Sequence, residues 1–127
     1  MPGSDSNIEL HILSTLEEAG EENVVAVANS WDASGKRAVE AVSLARAIGK
    51  LLQTGWIQIA EVRDHASLRW RAVAEDVAEQ ICDRLPTSVR WSAAEAMWVW
   101  TSPAPIPHLL VTKAGLVETR RLLDDRG

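Results

Sequence analysis

The chain has 127 residues, of which 46% are hydrophobic and 24% charged, and its formal net charge is −5. This length suits one domain with one hydrophobic core, and the composition excludes a disordered chain. Cys82 is the single cysteine, so an internal disulfide is excluded and we expect a small buried side chain. The first six residues carry no positive charge, and no apolar run has the length of a membrane span. These features predict a cytoplasmic protein without export signal or membrane contact.

Two helices are predicted in the first third of the chain. Ser6 and Glu9 have the spacing of a capping box, so the first helix should begin at Asn7 and end at Gly20. A polar connection over 21–23 should lead into a second, short helix. Its apolar residues include several β-branched ones, which lower helix propensity. They are Val24, Val25, Val27, Ala28 and Trp31.

A third, amphipathic helix should end at Gly55. A chain that turns from a buried helix into a strand needs a residue that tolerates positive φ, and glycine does so without steric cost. The apolar residues of this helix recur at helical spacing and should be buried, whereas Ser43, Arg46 and Lys50 should face outward. The strand that follows is predicted over 56–62.

About forty-five residues lie between this strand and the next predicted one, which is longer than a simple strand-to-strand connection. An amphipathic helix is predicted inside this interval over 69–85, ended by Pro86. Ser92 and Glu95 have the capping-box spacing for a short helical turn ahead of the apolar stretch 98–100, and that stretch fits a strand equally well. Three prolines at alternate positions make 102–107 a stiff extended connection. The apolar stripe of the predicted helix consists of Trp70, Val73, Ala74, Val77, Ala78, Ile81, Cys82 and Leu85.

A closing strand and a C-terminal helix are predicted over 106–124. The chain then consists of a helical half over 7–55, a first strand over 56–62, the inserted helix over 69–85 and this closure. We therefore predict a single α+β domain spanning 1–127, mostly helical with a small antiparallel sheet.

Three groups of residues have the pattern of a known fold. They are Leu13, Leu16 and Gly20 in the first helix, Leu51, Leu52, Gly55, Trp56 and Ile57 after the third helix, and Val111, Thr112 and Gly115 at the closure. This pattern resembles a winged helix-turn-helix domain of the MarR and PadR type, as in the small acidic winged-helix proteins common in actinobacteria. The resemblance covers roughly residues 8–62 and 106–124. It implies that the third helix is the recognition helix of a DNA-binding protein, and the inserted helix departs from the simplest members.

Charge is distributed unevenly along the chain. Residues 1–33 contain seven acidic residues and no Lys or Arg, residues 34–71 seven basic and three acidic residues, and residues 72–127 six basic and eight acidic residues. The basic segment coincides with the predicted recognition helix and wing, although solvated helix ends would also account for it. We expect a transcriptional regulator that binds double-stranded DNA as a homodimer. The candidate DNA-binding residues are Lys36, Arg37, Ser43, Arg46, Lys50, Arg63, Arg69 and Arg71.

An enzyme is not predicted. His11, His65 and His108 are scattered, without the short spacing to a second ligand that a metal site needs. Asp64, His65 and Ser67 are residue types of a catalytic triad, but sequence neighbours at a helix start cannot point at each other as a triad requires. We therefore expect no catalytic residue, no metal and no cofactor. Four carboxylates are expected on a solvated helix face, namely Glu75, Asp76, Glu79 and Asp83.

The alternative function is a protein-interaction module, such as an immunity protein or antitoxin, that binds a basic protein through its acidic N-terminal face. Two tryptophans, at positions 98 and 100, belong to this alternative, because in an extended stretch they project from the same face. Burial under the inserted helix is the competing expectation for this pair. The candidate partner-binding residues are Glu17, Glu18, Glu21, Glu22, Trp98 and Trp100. Core positions are expected for Trp31, Trp56, Trp70 and Trp91.

Overall fold

The computed structural model describes residues 3–33, 41–63 and 69–126, with side chains over 7–31, 41–61 and 69–124, and shows a mostly helical α+β protein. The predicted fold class is confirmed at this level. In chain order the elements are α1 (Gly3–Ala19), β1 (Glu21–Asn23), α2 (Val24–Ala33), α3 (Ala41–Gln53), β2 (Ile57–Arg63), β3 (Trp70–Ala72), α4 (Glu75–Ser88), β4 (Val89–Ser92), β5 (Met97–Trp100), β6 (His108–Val111) and α5 (Lys113–Arg126).

Strand β6 lies inside a four-stranded antiparallel sheet of order β1-β6-β2-β3. Leu109 of β6 lies opposite Glu22 of β1 and opposite Ile59 of β2, so a strand late in the sequence joins two early ones. Strands β4 and β5 form a separate two-stranded hairpin. The first sheet therefore closes only when the end of the chain returns between β1 and β2.

The core lies between this sheet and the helices. Helix α1 packs against α3, α5 and β6, and α4 packs against α3. Burial of these aliphatic side chains is the main favourable contribution to folding. The largest fully buried aliphatic side chains are Ile12, Leu13, Leu16, Val24, Val27, Ile48, Leu51, Ile57, Ile59, Leu85 and Leu109. Among the described residues, no helix combines the length and the apolar character needed to cross a bilayer.

The first half of the chain follows the predicted elements closely. Helix α1 ends at Ala19, and Gly20 follows it with φ of 81°, as predicted. The weakly predicted second helix is present as α2. Two predictions were wrong: α1 begins at Gly3 rather than Asn7, and residues 21–23 form β1 rather than a polar connection. The strand forms because β6 offers an unpaired edge to these residues.

The predicted helix over 69–85 is confirmed as a helix but not in its bounds. Residues 70–72 pair with β2 as a strand, and α4 begins only at Glu75. Pro86 lies inside the last turn instead of ending the helix. In this turn the Thr87 and Ser88 hydroxyls donate to the Arg84 carbonyl at 3.0 and 2.9 Å. The stretch 97–100 is a strand, which resolves the alternative left open by the sequence.

The end of α3 and the start of α5 meet at one junction. Gly55 has φ of 78°, and the Gly55 and Trp56 amides donate to the Leu52 and Leu51 carbonyls, each at 3.1 Å, which is a Schellman motif. Thr112 then donates its amide to the Trp56 carbonyl and its hydroxyl to the Gly55 carbonyl, at 3.0 and 2.7 Å. The hydrogen bonds of one turn thus fix both helices.

Gly115 brings α5 against this turn. A Cβ atom at position 115 would lie 2.1 Å from the Trp56 carbonyl oxygen, which belongs to the backbone and cannot rotate away. The Gly115 amide also donates to the Thr112 hydroxyl at 3.0 Å, which caps α5. Glycine is therefore required at position 115 by close approach, whereas Gly55 is required by its φ.

Asn29 of α2 holds the hairpin on the body of the protein. Its Oδ1 accepts the Trp98 amide at 2.7 Å, and its Nδ2 donates to the Trp98 carbonyl at 3.2 Å. One side chain amide thus pairs with the backbone of β5 as a neighbouring strand would. Trp98 is 8% exposed at this contact.

The junction predicts that Gly115→Ala lowers the free energy of unfolding by about 3 kcal/mol, because the added methyl group overlaps the Trp56 carbonyl. Urea denaturation followed by tryptophan fluorescence measures this. The matched control is Gly49→Ala inside α3, where a Cβ would lie 3.4 Å from the Cys82 sulfur. The control should change stability by less than about 1 kcal/mol, since alanine also favours the helix. Equal effects of the two substitutions would contradict the close approach.

The hairpin contact predicts that Asn29→Asp costs about 1–3 kcal/mol, because a carboxylate cannot donate to the Trp98 carbonyl and repels it. The control is Asn23→Asp. Asn23 Oδ1 accepts the Ala26 amide at 2.8 Å at the start of α2, and aspartate keeps this acceptor. Thermal unfolding should show a lower midpoint for the first variant only, and a tolerated Asn29→Asp would mean that the amide does not hold β5.

Candidate functional site

The outward face of α3 is a narrow stripe between α1 and α4. Val42 is 53% exposed, Arg46 and Gln53 are also exposed, and these residues lie on the same side as Lys50. Ser43, predicted to face outward, is half-buried. The buried side of α3 packs on α1, so the stripe is the part of the helix that a partner reaches.

Helix α4 covers the side of α3 next to this stripe. The Cys82 thiol donates to the Ala45 carbonyl at 3.0 Å and lies against Gly49. Burial, followed in size by the negative charge of Asp83, raises the pKa of the Cys82 thiol. The thiol therefore stays protonated as a packing group and a donor, as expected for a buried cysteine. The inserted helix thus packs on α3.

Lys50 is tied to α1. Its ammonium lies 3.7 Å from Oε2 of Glu9, and the two side chains are 63% and 12% exposed. Glu9 is therefore shielded by the protein while Lys50 remains largely in solvent. We call the exposed stripe of α3 that contains Arg46 and Lys50 the cationic stripe. The negative charge of Glu9 lies on the α1 side of this stripe.

The other predicted DNA-binding residues are distributed as follows. Arg69 and Arg71 are exposed at β3. Arg63 is the last residue of β2, and its side chain lies outside the described part of the chain. Lys36 and Arg37 lie outside the described residues. The predicted DNA-binding cations whose side chains are described therefore lie on α3 and at β3, and β2 lies between these two elements in the sequence.

A cavity of about 510 Å³ opens between α3, β2 and α4. Three carboxylates of α4, those of Glu75, Glu79 and Asp83, lie one helical turn apart along its border. These residues were predicted on a solvated face, and they are exposed, as Asp76 also is. The cavity could not be predicted from the sequence, because α3 and α4 come together only through tertiary packing.

The predicted acidic N-terminal face is only partly available to a partner. Glu18 is exposed, whereas Glu17 is half-buried, with one carboxylate oxygen enclosed. Glu22 accepts the amide of the next residue, Asn23, at 2.9 Å. Glu21 Oε2 lies 2.6 Å from the ring Nδ1 of His108.

The pairing of Glu21 with His108 was missed in the sequence because 87 residues separate them. The Trp70 ring stacks on the His108 ring with centroids 3.7 Å apart, above the small side chain of Ala60, which lies opposite His108. This stacking is a contact between residues distant in the sequence, and it favours the strand conformation of residues 70–72. The contact of Glu21 with His108 joins β1 to β6, and the stacking of Trp70 on His108 joins β3 to β6.

The tryptophan pair predicted on one face has two different environments. Trp98 is buried against α2 rather than under the inserted helix. Trp100 is half-buried and donates its indole N–H to the Ala104 carbonyl at 2.8 Å. Trp91, expected as a core anchor, is 40% exposed, although its ring packs edge-on against Trp98. The exposed aromatic residue of the hairpin is therefore Trp91.

Within the part of the chain that the structure describes, no three His, Cys, Asp or Glu side chains are grouped so that they could hold a metal ion. No known family model matches the chain, and no curated protein or solved structure resembles it significantly.

Proposed function

We propose that the chain is a winged-helix protein that binds double-stranded DNA through α3. The element order supports this: α1, β1, α2, α3 and β2 are followed by a strand, β6, that returns between β1 and β2. In this interpretation α3 is the recognition helix, and β2, β3 and β6 form the wing region. The segment from α4 to β5, which lies between β3 and β6, is an insertion into the wing region.

The observation that carries the proposal is the exposure of Arg46 and Lys50 on one stripe of α3, with Arg69 and Arg71 exposed at β3. Cations on a helix and on an adjoining strand can neutralise phosphates on both sides of a groove. Arginine also suits bidentate contacts with guanine edges in the major groove. The proposed protein acts as a homodimer, so that two α3 helices contact successive half-sites.

This proposal predicts that Arg46→Ala weakens binding to a genomic DNA fragment by about tenfold and makes the salt dependence of binding shallower by about one phosphate contact. Fluorescence anisotropy at several salt concentrations measures both effects. Lys50→Ala would be a less specific test, because it would also leave Glu9 without its ion-pair partner.

The matched control is Arg90→Ala, which removes an exposed arginine from β4. It should leave DNA affinity within about twofold, because a single charge on a distant surface is largely screened. The proposal fails if micromolar protein shows no salt-sensitive DNA binding, or if the two variants lose affinity equally.

A protein-interaction module is the second candidate function, and a different observation favours it. Trp91 and Met97 of the hairpin are 40% and 41% exposed, and large side chains of this kind are common in the centres of protein interfaces. Glu9 lies beside Lys50, and α4, which packs on α3, carries the exposed Glu75 and Glu79. These acidic side chains would repel a phosphate backbone that approached α3.

This second function predicts a protein that co-purifies with the wild-type chain and is lost from Trp91→Ser. The control is Val117→Ser, which removes an apolar side chain that is 69% exposed on α5. Quantitative mass spectrometry of the purified complexes makes the comparison. Retention of the same partner by both variants would exclude the hairpin as the interaction surface.

A further inference from the structure

We propose that the cavity between α3, β2 and α4 binds a small organic cation whose charged group is attached to an apolar body. The site needs neither DNA nor a second copy of the chain. Its volume of about 510 Å³ lies within the range of pockets that hold small molecules.

The inner surface of the cavity suits an apolar body. It is formed by side chains from all three elements and is continuous with the hydrophobic core. Removal of an apolar ligand surface from water would favour binding there. The apolar lining side chains are Leu52, Ile57, Ile59, Val73, Ala78 and Cys82.

Small residues of both helices line the cavity. They are Gly49 of α3, which also allows the Cys82 sulfur to lie against this helix, and Ala78 of α4. Ala78 is 6% exposed, so it belongs to the packed wall. The helices are held at this distance by the contact of Cys82 with Ala45.

The border of the cavity suits a positive charge. Glu75, Glu79 and Asp83 follow one another at intervals of four residues, and like charges at this spacing destabilise a helix. None of the three forms an ion pair with a described residue, and the described lining contains no Lys, Arg or His. A bound cation would relieve this repulsion, whereas an anion would increase it.

The donor set favours an organic cation over a metal ion. A metal would need several oxygens converging on one point, whereas these carboxylates are spread along two turns of α4 beside an apolar surface. Gln53 and Gln58 add amide oxygens that can accept hydrogen bonds from an ammonium group.

The test compares three probes that share a naphthalene ring, using isothermal titration calorimetry. They are 1-naphthylmethylamine, which is a cation at neutral pH, 1-naphthylmethanol, which is neutral, and 1-naphthoate, which is an anion. The amine should bind about tenfold more tightly than the alcohol, because three carboxylates each contribute a partly screened attraction. The naphthoate should bind more weakly than the alcohol.

Two triple variants, each of which neutralises three carboxylates, test whether the amine binds in the cavity. The first triple variant neutralises the cavity border and should reduce amine affinity about tenfold while leaving alcohol affinity unchanged. It combines Glu75→Gln, Glu79→Gln and Asp83→Asn. Asp76→Asn with Glu95→Gln and Asp124→Asn neutralises three exposed carboxylates outside the cavity and should leave amine affinity unchanged.

NMR spectra of the wild-type protein provide a second measurement that does not depend on the variants. The amine should shift the amide signals of Gly49, Gln53 and Ala78, which surround the cavity. The proposal is overturned if the amine does not bind at millimolar concentration, if the alcohol binds equally well, or if the shifts lie elsewhere. Because none of these measurements involves DNA, their outcome is separate from that of the proposed DNA binding.

Discussion

The contact of Gly115 with the Trp56 carbonyl is the constraint on which the rest of the structure depends. It brings the start of α5 within hydrogen-bonding distance of the turn that ends α3, where Thr112 donates to both Gly55 and Trp56. Residues far apart in the sequence therefore share one turn. Because β6 leads directly into α5, this contact lies at the end of the strand that pairs with both β1 and β2. The sheet and the direction of α3 are fixed together.

The packing of α3 against its neighbours determines which of its side chains are exposed. Helix α1 covers its apolar side, and α4 packs on a second side through Cys82, so a single stripe with Arg46 and Lys50 remains exposed. Glu9 lies beside Lys50 of this stripe, and the carboxylates of α4 line the cavity together with Gln53. The cationic stripe supports the proposed DNA binding, and the acidic border with its cavity supports the proposed site for an organic cation.

Local signals in the sequence predicted the elements well wherever the structure is decided locally. Gly20 and Gly55 both have positive φ, and α3 and β2 follow the predicted order. Two local signals failed, because α1 begins at Gly3 and Pro86 lies inside α4. The other failures involve contacts between distant residues. Trp70 has helical spacing to Val73, yet its segment is a strand because it pairs with β2 and its ring stacks on His108. The cavity could not be predicted either. Helical periodicity places Glu79 opposite the apolar stripe of α4 but does not show that α3 lies beside α4.

The most direct test of DNA binding through α3 is an NMR titration of the protein with a double-stranded DNA fragment, because it locates the DNA contact on the protein surface. DNA binding through α3 predicts that the amide signals of Arg46, Lys50 and Gln53 shift most, followed by those of Arg69 and Arg71, and that the shifts decrease as salt is added. Unchanged α3 signals at a saturating DNA concentration, or shifts confined to the hairpin around Trp91, would contradict it.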